Sequence, residues 1–303
     1  MTDYDLCLAW NWEYDADFVA LLERACRSEG LSFFQVTADN LEHSLCSLSQ
    51  SQLAFKAFFD RASETDPRFL PIVDWARDHA VFRINPHELA SHAWNKAAMH
   101  LEFISAGLQT PYTIILPSYD EQPFLQAVDL SSFGDRFTIK PAHGGGGVGV
   151  VTEAKSFDQV LSARKDFPSD LYLIQAHIIP ARLGDRPAWF RSIYCAGKVY
   201  ACWWDVQSHV YAPLSQEEER KFRLSPLAEI TSSIARICGL EFFSTEIAVT
   251  SERLFIVADY VNDPVDLRLQ SKAFDGVPDE IVDDIAKRLV SLVASHCRSL
   301  TGT

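Results

Sequence analysis

The 303-residue sequence is short of basic side chains and of long apolar runs. Its 27 lysines and arginines face 41 acidic residues, and the resulting formal charge of -14 excludes a surface that neutralises a nucleic-acid backbone. No stretch approaches the roughly 20 apolar residues of a membrane span. The first residues also lack the basic and apolar segments of a signal peptide. We therefore expect a cytoplasmic protein with neither nucleic acid nor membrane as a partner.

Paired cysteines are also missing. The seven cysteines are odd in number and irregularly spaced, and they include no C-x-x-C pair. This pattern is typical neither of a disulfide framework nor of a zinc site. We expect free, buried thiols, because free cysteine usually behaves as a small core hydrophobe.

Hydrophobic periodicity predicts an α/β chain. Strands at 6–10, 31–36 and 80–84 and a helix at 17–28 are typical of a small open domain with parallel strands. Residues 11–15 follow the first strand, at the sheet edge where ligands bind in such folds. An ordinary surface loop is the simpler explanation for them.

The rest of the chain alternates strands, turns and helices. We predict a helix that carries Lys96 and a glycine turn between two strands, followed by a hairpin and a mobile polar loop. The full set is a helix at 91–106, a strand at 112–116, strand–turn–strand at 136–152, a helix at 156–164, a strand at 171–179, a hairpin at 189–204, a loop at 215–221, and helices at 227–238 and 279–297.

A glycine run led by a lysine occupies residues 140–149, KPAHGGGGVG. As a string it satisfies the dinucleotide fingerprint and the protein-kinase loop pattern. A dinucleotide motif needs a helix directly after the glycines, whereas β-branched Val150 and Val151 predict a strand. The sequence lacks the companion kinase signatures and the Gly-Lys-Ser/Thr of a Walker A loop. Two interpretations of this segment remain. It is a glycine lid whose backbone can approach phosphate oxygens beside Lys140, or it is a flexible hairpin with a solvated lysine.

Two acidic residues lie on consecutive predicted strands. Glu246 in FFSTEIAV and Asp259 in LFIVADYVN are separated by a plausible turn at 251–253, so they can lie side by side on antiparallel strands. Carboxylates of this kind suit Mg²⁺, which binds through one or two of them plus substrate phosphates. The alternative is a solvated strand face, and the apolar neighbours argue against it because an unpaired buried carboxylate is costly.

Read in order, these residues resemble the ATP-grasp superfamily. The likeness runs from about Lys96 to Arg268 and includes Gly107 to Pro111, the glycine lid, the apolar strand 171–178 and the acidic pair. It implies an N-terminal open α/β domain, residues 1–92, before a two-lobed ATP-grasp module. The N-terminal lobe with the lid would comprise residues 93–175, and the C-terminal lobe with the metal site residues 176–303.

The resemblance also implies roles for individual residues. ATP would contact Lys96, Lys140, Gly144, Gly145, Gly146, Gly147, Gln175, Ala176, His177 and Ile178. Glu246, Asp259 and Asn262 would hold two Mg²⁺ ions, or Mn²⁺ in their place. Catalysis would use Arg191, Lys140 and Arg268, although either arginine could instead form a structural ion pair.

Two departures from the family pattern affect the metal ligands. The usual order of an aspartate followed by a glutamate is reversed, and Asp259-x-x-Asn262 is one residue longer than the usual Glu-x-Asn. One extra residue on a regular strand turns a side chain to the opposite face, so Asn262 needs a bulge or bend to reach a metal.

The activity that the resemblance implies is an ATP-dependent, ADP-forming ligase. It would activate a small-molecule carboxylate as an acyl phosphate and join it to an amine. Two alternatives remain, an ATP-grasp small-molecule kinase and a Mg-ATP-binding regulatory protein with weak or no turnover. A homodimer is likewise an open alternative to a monomer.

Overall fold

The computed structural model describes residues 2–301. Residue 1, where the first predicted domain begins, and residues 302–303, where the last one ends, lie outside the described range. The described strands are β1 (Thr2–Trp10), β2 (Phe33–Val36), β3 (Leu53–Arg61), β4 (Phe82–Ile84), β5 (Thr113–Leu116), β6 (Phe137–Pro141), β7 (Val151–Ala154), β8 (Tyr172–Ala176), β9 (Arg182–Leu183), β10 (Arg186–Pro187), β11 (Trp189–Cys195), β12 (Lys198–Trp204), β13 (Tyr211–Pro213), β14 (Phe242–Val249) and β15 (Phe255–Asn262). The described α-helices are α1 (Ala16–Ser28), α2 (Leu41–Ser49), α3 (Leu70–Asp78), α4 (His87–Trp94), α5 (Lys96–Ser105), α6 (Phe157–Ala163), α7 (Gln216–Phe222), α8 (Pro226–Cys238) and α9 (Asp279–Thr301). The predicted α/β class is confirmed.

The N-terminal sheet is parallel, with strand order β2-β1-β3-β4. Leu6 to Ala9 of β1 are buried without alternation, as expected of a strand covered on both faces. Helices α1 and α9 pack on one face, and α2 and α3 pack on the other. The strands and the helix predicted for this region are present, and β3 is an additional strand.

Two antiparallel sheets form the rest of the structure. The order β5-β8-β6-β7 builds the sheet with the glycine run, and the order β13-β12-β11-β14-β15 builds the sheet with the acidic pair. A hydrophobic cluster from α4, α5, α8, β8, β14 and β15 joins the two sheets. The glycine run and the acidic pair therefore sit on separate sheets that share one core.

Two predicted elements are wrong in detail. The expected loop at 215–221 is largely helix α7, because Ser215 and Glu218 form a capping box that satisfies its first backbone donors. The single helix expected at 91–106 is divided into α4 and α5. Asn95 has an extended backbone there, and its side chain accepts hydrogen bonds from the N–H groups of Ala97 and Ala98.

All seven cysteines are free, as predicted. Six of them are buried, whereas Cys46 is exposed, so the expectation of burial is wrong for that residue. None of the described helices is long and apolar enough to cross a membrane. The domain boundaries after residues 92 and 175 stay predictions.

Candidate functional site

Strands β14 and β15 bring three predicted metal ligands to one place. Glu246 lies directly opposite Asp259, and Ser244 lies opposite Asn262. Between these pairs β14 advances two residues while β15 advances three, so β15 carries one extra residue in a bulge. Ser244 and Glu246 face the same side of β14, and the bulge therefore returns Asn262 to the face of the two carboxylates. The bulge that the longer spacing requires is present.

Asp259 is surrounded by positive charge. Burial alone would raise the pKa of its carboxyl, but the charges of Lys140, Lys96 and Arg191, together with a hydrogen bond from Asn262, lower the pKa below its ordinary value. Asp259 therefore stays ionised at neutral pH, which a carboxylate that binds a cation requires.

Glu246 is held by two donors from β11. Its Oε1 accepts from Arg191 Nη1 at 2.7 Å, and its Oε2 accepts from Trp189 Nε1 at 3.1 Å. Arg191 is further fixed by Ser244 Oγ at 3.0 and 3.2 Å and by the indole of Trp204, 5.1 Å from its guanidinium carbon. Arg191 therefore forms an ion pair with Glu246, one of the predicted metal ligands.

The two predicted phosphate-binding lysines approach the same carboxylate from different elements. Lys140 on β6 donates to the carbonyl of Ala258 at 3.2 Å, and Lys96, the first residue of α5, donates to the carbonyl of Gly144. Burial lowers the pKa of Lys96, and the nearby Asp259 charge opposes that effect. Both ammonium groups lie between the glycine run and the acidic pair.

The glycine run is an open loop with a fixed base. Gly144, Gly146 and Gly147 have positive φ angles, and a Cβ atom on any of them would contact nothing within 4 Å. At the base, Asp170 accepts from the backbone N–H of His143 at 2.8 Å and contacts His143 Nδ1 at 2.9 Å. The backbone of this loop can therefore approach a ligand while its ends stay attached to the sheet.

The strand predicted to contact adenine ends beside this loop. Gln175 is buried, and its Nε2 donates to Tyr260 Oη at 2.7 Å and to Thr113 Oγ1 at 3.1 Å, so its side chain is structural. The N–H of Ala176 is also engaged, by the carbonyl of Tyr112. Beyond the strand, His177 and Ile178 form no backbone hydrogen bond with any residue in the described range 2–301. Their backbone groups remain open to a ligand.

The overall architecture matches solved structures along nearly its whole length. A D-alanine–D-alanine ligase from Bacillus anthracis, solved with ATP, has a TM-score of 0.66 and 10% identity over 99% of this chain and 98% of that chain. A RimK domain ATP-grasp protein from Sphaerobacter thermophilus has a TM-score of 0.64 and 16% identity over 95% and 99%. The macrocyclase MdnC from Microcystis aeruginosa, bound to its precursor peptide, has a TM-score of 0.64 and 13% identity over 94% and 98%. This chain has the ATP-grasp fold.

The ATP-grasp resemblance inferred from the motifs is thus confirmed at the level of the fold. No protein-family model and no curated protein matches the sequence. The roles of individual residues therefore rest on the geometry of this chain.

The donor set fits Mg²⁺ in an ATP-grasp site. It consists of two carboxylates and one amide oxygen, and within residues 2–301 no group of three or more His, Cys, Asp or Glu side chains is placed to hold a metal ion. A dedicated protein cage for a transition metal is thus absent from the described residues. Mg²⁺ prefers one or two carboxylates together with substrate phosphates, which the adjacent lysines would bind.

A cavity of about 380 Å³ lies beyond the end of β15. It is open to solvent and is lined by the loop after β1, the end of β3 and the segment after β15, including Trp12, Asp15, Arg61 and Asp266. Three of residues 11–15, the segment that follows the first parallel strand, thus line a cavity.

Arg268 lies next to this cavity, but its guanidinium is already engaged. Nε and Nη2 donate to Asp266 at 2.7 to 3.1 Å, and Nη2 also donates to Asp275 at 2.9 Å. The guanidinium carbon lies 5.9 Å from the centre of the Trp12 ring. The alternative of a structural ion pair therefore describes Nε and Nη2 of Arg268, whereas Nη1 has no hydrogen-bond partner among the described residues.

Proposed function

We propose that this protein is an ATP-dependent, ADP-forming ligase that joins a carboxylate to an amine. The observation that supports the proposal is the convergence of Lys96, Lys140 and Arg191 on Asp259, directly opposite Glu246 and below an open glycine loop. Three cations around a carboxylate pair can bind both a triphosphate and the metal that accompanies it. The ATP-grasp ligases of similar structure support the same class of reaction.

In this proposal ATP lies between the two antiparallel sheets. The backbone of His177 and Ile178 would contact adenine, the lysines would contact the phosphates, and the loop from Gly144 to Gly147 would cover them. Glu246, Asp259 and Asn262 would hold Mg²⁺, and bound Mg²⁺ would neutralise charge on the transferring phosphoryl group. The number of ions, and the use of Mn²⁺, stay predictions.

The reaction would proceed in two steps. A substrate carboxylate oxygen attacks the γ-phosphorus of ATP, the bond to the β-phosphate oxygen breaks, and ADP leaves. The amine then attacks the acyl carbon, orthophosphate leaves, and the amine loses a proton as the amide forms. Lys140 and Arg191 stabilise negative charge in these steps, so no protein nucleophile is required. Ordering of the glycine loop over the site would keep water from the acyl phosphate.

The test compares Asp259→Ala and Glu246→Ala with the surface variant Asp158→Ala. Each protein is incubated with Mg-ATP and panels of carboxylates and amines, and ADP and orthophosphate are followed by ³¹P NMR. We expect the wild type and Asp158→Ala to release both with an amide product, and the two site variants to lose at least about a hundredfold in rate, since each removes a ligand of the proposed metal.

Other outcomes would replace the proposal. A stable phosphoester without orthophosphate would identify a small-molecule kinase, and tight Mg-ATP binding without ADP release would identify a regulatory protein. Wild-type rates in both site variants would refute the metal assignment. A cytoplasmic location and a homodimer stay predictions that this test does not address.

A further inference from the structure

We propose that Tyr260 is a positioning residue for the metal site, because its hydroxyl fixes the stretch of β15 that carries Asp259 and Asn262. This inference rests on the proposed function, in which those two residues hold the metal of an ATP site. Tyr260 lies between them in the sequence, and its side chain packs in the core that joins the two antiparallel sheets.

The backbone of β15 is irregular on both sides of Asp259. Val257 lies opposite Ile247 and Asp259 lies opposite Glu246, so β15 carries one extra residue on this side. The bulge toward Asn262 adds a second extra residue on the other side. Residues in a bulge leave the regular ladder of hydrogen bonds. This stretch therefore depends on additional contacts for a fixed shape.

Side chains supply such contacts. Lys140 donates to the carbonyl of Ala258 at 3.2 Å, and Thr245 Oγ1 donates to the carbonyl of Asp259 at 2.8 Å. Lys140 is also a proposed phosphate ligand, so ATP would compete for its ammonium group. The Tyr260 side chain is buried, so bound ATP would leave its hydrogen bonds in place. Tyr260 is therefore suited to hold this stretch in the complex with nucleotide.

The Tyr260 hydroxyl has partners on two other elements. Its Oη lies 2.7 Å from His100 Nδ1 in α5, and it accepts from Gln175 Nε2 in β8 at 2.7 Å. Burial lowers the pKa of His100, so its ring is neutral at neutral pH and Nδ1 can accept the tyrosine proton. The hydroxyl then donates one hydrogen bond and accepts another. A buried polar network that is satisfied in this way rigidifies the core around it.

These two elements carry the other proposed contacts to ATP. Lys96 lies one helical turn before His100 in α5, and Gln175 lies near the end of β8, just before His177. Strand β8 is held by β5 on one side and β6 on the other, so it keeps its place without the hydroxyl. Loss of the hydroxyl should therefore release β15 first, and with it the metal ligands.

The experiment compares binding of a metal with binding of a nucleotide. Mn²⁺ serves as the probe for Mg²⁺, and its affinity for the complex with ADP is measured by electron paramagnetic resonance. The affinity for ADP alone is measured by calorimetry in the presence of EDTA. Neither measurement depends on turnover.

Tyr260→Phe keeps the ring against Phe103, with 5.3 Å between the ring centres, and loses only the hydroxyl. We expect the dissociation constant of Mn²⁺ to rise at least about tenfold, the lower end of the effect of removing a group that orients metal ligands. Binding of metal-free ADP should weaken much less, because it does not use Asp259 and Asn262.

Tyr200→Phe is the matched control. Tyr200 is also buried, but its Oη donates to Asp284 of α9 at 2.5 Å, and it packs in a different hydrophobic cluster. This variant also loses a hydroxyl hydrogen bond, and neither dissociation constant should change. Urea unfolding of each variant confirms that the protein measured is folded.

Two variants of His100 test the same contact from α5, and they decide the question if Tyr260→Phe does not fold. His100→Leu removes the acceptor of the tyrosine proton and should weaken Mn²⁺ binding as Tyr260→Phe does. His100→Asn offers an amide oxygen in place of Nδ1 and should restore much of that affinity.

Three results would each overturn the inference. The first is a loss of Mn²⁺ affinity in Tyr260→Phe no larger than in Tyr200→Phe. The second is an equal loss for metal-free ADP and for Mn²⁺, and the third is equal Mn²⁺ affinity in His100→Asn and His100→Leu. Failure of the ligase proposal would appear separately, as absent ADP formation from ATP by a wild type that binds Mn²⁺ and ADP.

Discussion

Breaking the ion pair between Asp15 and Arg61 should destabilise the protein strongly. The carboxylate accepts from Nε at 2.8 Å and from Nη2 at 2.6 Å, and the two side chains are only 2% and 1% exposed. The guanidinium carbon also lies 5.3 Å from the centre of the Phe18 ring. Arg61 Nη2 donates a hydrogen bond to the carbonyl of Val265, which is 204 residues away in sequence. This one pair therefore connects the N-terminal sheet to the segment that lines the cavity.

The expected magnitude follows from the burial of the pair. Asp15→Asn keeps the shape of the side chain but leaves the Arg61 charge buried without a counter-ion, and loss of one partner from a buried pair costs about 3–5 kcal/mol. The whole free energy of unfolding of a domain is about 5–15 kcal/mol. The variant should therefore unfold at a clearly lower urea concentration, followed by tryptophan fluorescence and circular dichroism.

Asp66→Asn is the matched control. Asp66 forms a similar two-pronged pair with Arg68, with Nη2 at 2.6 Å, but the Arg68 side chain is 70% exposed and water can replace its partner. Its urea midpoint should stay close to that of the wild type. The double variant Asp15→Leu/Arg61→Met, which removes both buried charges, should be closer to the wild type than Asp15→Asn. If Asp15→Asn shifts the midpoint no more than Asp66→Asn, burial does not determine the strength of this pair.

Two further predictions concern Tyr260 and the glycine loop. Tyr260→Phe removes a buried hydroxyl bonded at 2.7 Å to both His100 and Gln175, and should lower the free energy of unfolding by about 1–3 kcal/mol, whereas exposed Tyr112→Phe should not. Gly149→Ala should destabilise the protein more than Gly147→Ala in thermal unfolding. The two φ angles are alike, +74° and +75°, but only at position 149 would the new Cβ lie 2.5 Å from the ring of Phe167.

The sequence allows prediction of the features that depend on local patterns. The apolar run of residues 6–10 predicts β1, because a strand that is buried on both faces is apolar throughout. The β-branched residues after the glycines predict the next strand, β7. The missed helix α7 also had a local signal, because Ser215 and Glu218 have the spacing of a capping box. Asn95 carried a similar signal as a residue suited to cap α5. Both helix starts therefore have a local signal in the sequence.

Other features of the site could not be predicted in this way. The partners of Arg61 are 46 and 204 residues away, and the cavity beside Trp12 forms only when three distant segments pack together. The pairing of Arg268 with Asp266 is close in sequence, but the additional bond from Arg268 to Asp275 depends on the fold around it. Motifs therefore predicted the residues that lie together around Asp259, whereas the cavity beside Trp12 depended on tertiary packing.

Asp259 and Asn262 are one residue further apart than the acidic residue and asparagine of the ATP-grasp pattern. The bulge in β15 accommodates this extra residue. On a regular strand Asn262, three residues after Asp259, would face away from Glu246, because side chains alternate along a strand. The bulge requires support, since its residues leave the regular pairing. Tyr260, inside it, is held by His100 and Gln175, and Thr245 Oγ1 donates to the carbonyl of Asp259 at 2.8 Å. The same bonds that fix the bulge therefore position Asp259 and Asn262, and the extra residue is compatible with Glu246, Asp259 and Asn262 on one face of the sheet.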